Sequence, residues 1–455
     1  MSDHGRSNSG HGADLTRVLN RLDIAALAVG AMVGWGWVVL AGAWISGAGL
    51  LGTVIAFAIG GGLIVLIGLT YAELVAALPF AGGEHVFVDR AFGSTPAFVA
   101  TWAIVLGYVS VVTFEAIALP VALVYLFPDL KQIPLWTIAG YQVHLTEVLI
   151  GSGAAVAVAL LNVLGIKTAS RVQALVVFLV ICAGLVLIVG GLAYDGPPPV
   201  KTPFTMTGLV SVVVMVPFLF VGFDVIPQAA EEIDLPYAKI GSVVIASVLI
   251  ATLFYMGVVF GVGSAPLAQG TELASADAAK ALWHSSAMGT FVVVAGVAGI
   301  LTSWNAFLIG GSRALFALAR AGQIPRSLAA VHPRFGTPYK AIIAIAALSV
   351  FAPLLGRQAL IWIVDAGGLA IVLAYAFVAA SFLHLRRTAP DMERPYRTPM
   401  GKLIGWLALL CSLGLSLLYL PFSPSGLVWP EEWLIVFVWT VLGVIVFFST
   451  KQHRS

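Results

Sequence analysis

Charge is what this chain most lacks: 10% of its 455 residues are Asp, Glu, Lys or Arg, against 60% hydrophobic. A water-soluble domain carries about a quarter charged residues. So little charge cannot cover a water-facing surface, and lipid must be the solvent for most of the chain. The formal net charge of +2 gives no reason to expect nucleic acid as a partner. Cysteine is scarce as well. Cys182 and Cys411 both fall in apolar stretches, read as small apolar fillers, and carry no information on redox compartment. None of the eight histidines stands at mid-span depth or at ligand spacing, so no histidine-built metal site is expected. There is no nucleotide loop, nucleophile elbow or convergent polar constellation, so no enzyme is indicated. The opening MSDHGRSNSGHGADLTRVLNR has no apolar core before a cleavage site. It reads as a mobile tail and an amphipathic lead-in, not a secretion signal.

What is abundant is apolar length. A helix needs about 20 apolar residues to cross the hydrocarbon core. Twelve candidate spans follow, at 24–46, 50–78, 96–126, 145–164, 171–194, 208–230, 240–265, 287–319, 340–356, 359–385, 402–422 and 432–449. Turn signals separate them, among them PFAGGE (79–84), DGPPP (195–199), LPY (235–237), RFGTP (334–338) and PFSPSG (421–426). All but four of the 23 Lys and Arg residues lie on even-numbered connections or at the termini. The exceptions are Lys131, Lys201, Lys280 and Arg357. By the positive-inside rule both termini are expected in the cytoplasm of a multi-pass protein of the cell membrane.

Two spans carry backbone weak points. The first reads GAMVGWGWV (30–38), with Gly30, Gly34 and Gly36. The sixth reads VPFLFVGFDVIPQAAEE, with Pro217, Gly222 and Pro227. An unwound turn in lipid exposes N–H and C=O groups that cost several kcal/mol each unless something polar docks there. Interrupted helices in matching positions of two repeats point to a binding site. Membrane helices also use Gly for close packing and Pro for kinks, which is the plainer reading of either segment alone.

With these motifs the chain resembles the amino acid–polyamine–organocation (APC) permeases along nearly its whole length. The resemblance rests on GAMVGWGWV, YAELVAALPFAGGEHVFVDRAFG (71–93), GFDVIPQAAEEIDLP (222–236), SRALFALARAGQIPRSLAAVHPRFGTP (312–338) and RPYRTP (394–399). It implies an all-α integral membrane fold of 12 helices, a five-plus-five inverted repeat with helices 1 and 6 unwound, and two further C-terminal helices. The implied organisation is a tail at 1–22, a first repeat at 23–194, a second at 208–385, two more spans at 402–450 and a tail at 451–455. The implied activity is secondary active import of an amino acid or related amine. Exchange of amino acids or polyamines is the alternative, and a channel or a non-transporting receptor is the rival from another class. A monomer or homodimer in lipid is expected.

The resemblance also implies site residues. Amides of Gly34, Trp35 and Gly36 would hold a substrate carboxylate. Carbonyls from Phe218 to Val221 would receive its ammonium, Phe218 would act as a gate, and Trp304 would pack on the substrate side chain. Departures from the family pattern carry information. Trp35 fills a slot usually given to a small residue. Glu115, at mid-membrane depth in TFEAIALP, is a functional hypothesis by default, as partner of a substrate ammonium or carrier of a proton. Asp224 is read as a proton carrier or a brace for the break. A lysine common in proton-driven relatives would stand at Val180, nine residues after Arg171, and is absent. Thr302 and Ser303 in ILTSWNA, with the carbonyls of Gly30 and Val33, resemble the oxygen set of sodium-coupled proteins of the wider fold. A sodium ion is therefore expected as the coupling ion ahead of a proton, with no other cofactor. Glu73, Glu84, Glu231 and Glu232, at cytoplasmic helix ends, are assigned to ion pairs with basic loops as part of gating or topology, Asp365 to helix packing, and Trp37 to packing.

Overall fold

A computed structural model describes residue 15 and residues 17–197, 202–267, 273–423 and 425–452. The terminal residues of both expected tails therefore lie outside the described residues. The chain is helical almost throughout: α1 (Arg21–Met32), α2 (Gly36–Ala77), α3 (Glu84–Phe92), α4 (Ser94–Leu126), then a hairpin of β1 (Pro134–Ile138) and β2 (Tyr141–His144). There follow α5 (Leu145–Val163), α6 (Ile166–Ala193), α7 (Met206–Phe220), α8 (Val225–Gln228), α9 (Tyr237–Gly263) and α10 (Ala274–Leu282). The chain ends with α11 (Ser286–Arg320), α12 (Tyr339–Phe351), α13 (Ala359–Thr388), α14 (Gly401–Leu418) and α15 (Glu431–Gln452). Among the described residues, ten helices are long and apolar enough to cross a membrane. The expected spans 1 and 9 are not among them as single helices.

The reason differs at each place. In the expected span 1 the helix is cut. Asn20 opens α1 by accepting from the amides of Leu22 and Asp23, while Asp23 accepts from the Asn20 amide, a reciprocal cap. The helix stops at Met32, and helical structure resumes at Gly36. The second half of that span then runs on into the expected span 2 as α2, 42 residues long. At 1.5 Å per residue that is about 63 Å, twice the hydrocarbon core, so the run must bend. It does so at Gly49, whose φ of 73° only glycine adopts freely and where a Cβ would lie 2.9 Å from the Thr202 carbonyl oxygen. Expected span 9 is short because α12 gives way to a 3-10 turn at Ala352–Leu355.

The expected break in span 6 is present. Helix α7 ends at Phe220, and regular structure resumes only with the single turn of α8. Gly222 turns the chain with φ 136°, and a Cβ there would lie 2.5 Å from the Ala31 Cβ. The two interruptions thus pack directly against each other. The hairpin and α10 were not expected from the sequence; Ser275 of α10 donates to the Trp37 carbonyl at 2.7 Å, tying it to α2. Trp37 is buried edge-on against Phe254, as packing.

The bundle has two unlike ends. At the hairpin end, the Trp136 indole donates to the Leu354 carbonyl at 3.0 Å just before α13 begins. At the opposite end, Leu19 pairs with the segment after α8. There, Arg313 grips Glu232 through two nitrogens at 2.8 and 3.0 Å, Arg320 meets Glu231 at 3.0 Å, and Glu73 receives both Arg386 and Arg394.

Candidate substrate site

The two helix interruptions set opposite partial charges on one space. The first N–H groups of α2 have no intrahelical acceptor, and the last C=O groups of α7 have no intrahelical donor. The former attract an anion and the latter a cation. Between them lies a cavity of about 320 Å³. Gly34, Trp35 and Gly36 line it from the first break, Phe218 and Leu219 from the end of α7, Glu115 and Phe114 from α4, and Ser303 and Phe307 from α11. It extends to Arg357 and Gln358 at the start of α13 and so reaches the hairpin end. The Tyr255 hydroxyl, also in the wall, donates to the Met32 carbonyl at 2.8 Å and satisfies one freed acceptor at the end of α1.

Most of the wall is apolar, which sharpens the place of its acids. The Glu115 side chain is buried; one carboxylate oxygen accepts from the Ser303 hydroxyl, and the other has no partner among the described residues. Asp365 lines the cavity from α13. It also bonds Glu432 of α15, in keeping with its assignment to helix packing; Ile361 and Asp365 are one turn apart on the same cavity-facing side. That periodicity, read onward from Arg357 and Gln358, was the available signal. Phe114 and Phe218 meet edge-on with ring centroids 6.2 Å apart, so the expected gate residue has an aromatic partner that the sequence reading missed. The Trp35 indole lies against Gly296 of α11, where a Cβ would stand 2.4 Å from it. Only a glycine there leaves room for so large a residue in the small-residue slot.

Three expected site residues are elsewhere. Trp304 is fully buried but does not line the cavity; Phe307, one turn beyond Ser303, takes that face of α11. Val221 is buried in the second break without reaching the cavity. Asp224 is also outside the wall and braces the break, accepting from the Gly222 amide at 2.6 Å and the Tyr108 hydroxyl at 2.8 Å.

The four oxygens expected to hold sodium are partly gathered. The Thr302 hydroxyl is 3.0 Å from the Gly30 carbonyl, and a Cβ on Gly299 would lie 3.5 Å from the Val33 carbonyl. Ser303, by contrast, is engaged by Glu115. The donor types suit a hard cation; the Thr302 hydroxyl donates to the Gly30 and Gly299 carbonyls and the Ser303 hydroxyl to Glu115. On α6, Gln173 and Val177 face Gly30, each within 2.5 Å of where its Cβ would be. They, not Val180, occupy that side of the first break. Gln173 was missed because it follows the motif by only two residues. Its carbonyl accepts from Asn305 at 2.9 Å, and Asn305 accepts in turn from Asn162 at 2.9 Å, a chain of buried amides joining α5, α6 and α11.

Fold and cavity together define a multi-pass membrane protein with a solute-sized chamber at two interrupted helices. The sequence model of the amino acid permease family matches residues 19–447. The chain belongs to that family, whose members are transporters and not enzymes. It is 29% identical to the branched-chain amino acid permease BcaP of Bacillus subtilis (strain 168), over 97% of this chain and 94% of that protein. It is 25% identical to the methylthioribose transporter of the same organism, over 97% and 95%. With its aspartate-proton symporter the identity is 26%, over 86% of this chain and 77% of the relative.

Proposed function

We propose that this permease is a secondary active transporter that imports an amino acid or related organic amine by alternating access. The observation that carries the reading is the cavity between the start of α2 and the end of α7, with Glu115 in its wall. A carboxylate suits the α2 amides and an ammonium suits the α7 carbonyls. Glu115 adds a negative charge for a second ammonium or a cationic side chain. In this reading the broken span 1 and short α12 complete twelve crossings. Residues 23–194 and 208–385 form the inverted repeats, residues 402–450 add two spans, and the hairpin end faces outward from the cell membrane.

The coupling ion is a cation. Sodium would be held by Thr302 and the carbonyls of Gly30 and Val33, with Ser303 joining them. The commitment of Ser303 to Glu115 favours a proton as the second reading, and a proton is what the name of the aspartate-proton symporter attaches to that relative. Uptake of labelled leucine, arginine and aspartate into proteoliposomes tests both. Saturable uptake driven by a gradient is expected. Sodium dependence lost in Thr302→Ala supports the sodium set; uptake that ignores sodium and follows a proton gradient removes it. Uptake that requires substrate on the far side makes the protein an exchanger. No gradient-driven uptake of any probe overturns the transporter reading.

A further inference from the structure

Four acids at the end away from the hairpin were assigned to ion pairs, and one of them has none among the described residues. Glu73, Glu231 and Glu232 meet arginines. Glu84, fully buried, instead accepts from the Tyr71 hydroxyl at 3.0 Å and from the Gln228 side-chain amide. One turn before Gln228 stands Asp224, also fully buried and held by Tyr108 and the Gly222 amide. Two carboxylates thus lie in one packed cluster, Glu84 bonded to Gln228 and Asp224 one turn before it. Around them the Tyr71 ring meets Phe223 at 5.2 Å and Tyr375 at 5.8 Å. The Tyr375 hydroxyl and the Gln228 side-chain carbonyl oxygen are buried there without a partner among the described residues.

Among the described residues, no cation balances this cluster. On α2 the facing titratable group is Tyr71, since Glu73 is taken by Arg386 and Arg394. Helix α4 presents Tyr108 and α13 presents Tyr375. On α3 the neighbour of Glu84 is His85, which is bonded to Gln323. Arg313 of α11 is committed to Glu232 through two nitrogens. The buried face of α1 is apolar: Ile24, Leu27, Ala28, Ala31 and Met32. Two unpaired carboxylates in such surroundings cannot both carry charge cheaply. The rings are in contact, so the cation that fits without displacing them is a proton.

We propose that Glu84, bonded to Gln228 and Tyr71, and Asp224, bonded to Tyr108, form a buried proton-binding site that keeps this end of the bundle shut while occupied. Burial pushes the Glu84 carboxyl up from its ordinary value, and the neighbouring Asp224 adds to the rise. When the carboxyl O–H breaks and the proton passes to water, two carboxylates repel across a dry contact. Separation of α3 from α8 relieves that repulsion by admitting water. The contact is close: the Gly82 amide donates to the Gln228 main-chain carbonyl at 3.3 Å. The gating role rests on the transporter reading, whereas the proton site does not.

Hydrogen–deuterium exchange of the purified protein tests it, followed from about pH 5 to about pH 9, the range into which buried glutamates move. After correction for the intrinsic chemical rate, exchange across residues 80–93 and 222–235 is expected to rise with pH. In Glu84→Gln it is expected to be flat. Tyr71→Phe, which removes a donor to the Glu84 carboxylate without removing charge, is expected to move the rise to higher pH. It keeps the test decisive if Glu84→Gln does not fold. A wild-type protein with no rise, a Glu84→Gln variant that keeps it, or a Tyr71→Phe variant with an unshifted rise overturns the proposal. Absence of uptake in proteoliposomes overturns the transporter reading and leaves this exchange result standing.

Discussion

Single side chains decide what the cavity can admit. Replacing Glu115 with Gln keeps its shape and its bond to Ser303 but removes the charge. A hydrogen bond to a charged group is worth about 1.5–3 kcal/mol, so the KM for a cationic probe such as arginine should rise roughly tenfold to a hundredfold. A smaller change for leucine, in the same uptake assay, would place the glutamate at the side chain and not at the amino group. The Trp35 indole and Gly296 share one space. Gly296→Ala should therefore push the indole into the chamber and lower uptake, and Trp35→Ser should widen the range of probes that compete for binding. Residues of this kind were legible when a motif carried them: Gly34, Trp35, Gly36, Glu115 and Phe218 all line the chamber. Trp304 lies outside the chamber wall, and Asp365 unexpectedly in it, because the sequence does not give the rotation of α11 or α13 about its axis. That angle is set by packing against neighbours far away in the chain.

Helices and their joints decide how the molecule moves. Both breaks were legible, since glycine and proline weaken a membrane helix wherever they stand. The merging of two crossings into α2 was not, because its bend depends on a single Gly49 fitted against the carbonyl of Thr202. At Gly222 the backbone is left-handed and pressed on Ala31. Gly222→Ala should lower the thermal unfolding midpoint in detergent and slow uptake together, because it separates the two breaks. The Arg313–Glu232 pair is buried on both sides. Arg313→Met alone should cost about 3–5 kcal/mol by leaving an unpaired charge, and the double variant Arg313→Met with Glu232→Leu should recover most of it. Denaturant titration of the purified protein reads both effects. Equal destabilisation of the single and double variants would show that the pair has a role beyond charge balance. The positive pattern of the sequence announced these arginines but not their partners, which is why Glu84 was counted among the paired acids.

At the scale of the whole molecule, the proposed orientation has a direct check. With Cys182 and Cys411 replaced by Ala, a cysteine put in place of the exposed Gln142 on β2 should react with a membrane-impermeant maleimide applied outside intact cells. Reaction only after the cells are opened would invert the topology. The hydropathy pattern and the basic residues gave the overall plan of a membrane bundle. They were silent on which end of it would stand open, because that depends on contacts between α3, α8 and α11 made across long stretches of chain.

The last helix has a consequence of another kind. Only 6% of the most apolar window of α15 is buried against the rest of the protein. It is clasped to α4 by Trp102 and Trp439, each indole donating to the other's carbonyl at 2.9 Å with the rings stacked 4.7 Å apart. It also packs on α13 and sets Phe447 against Phe98, but with so little of its surface covered it takes part of its position from the bilayer, through the match between its apolar length and the lipid thickness. Acyl-chain length should therefore shift the thermal stability of this edge of the molecule more than substrate does, making it the part of the permease that registers which membrane it inhabits.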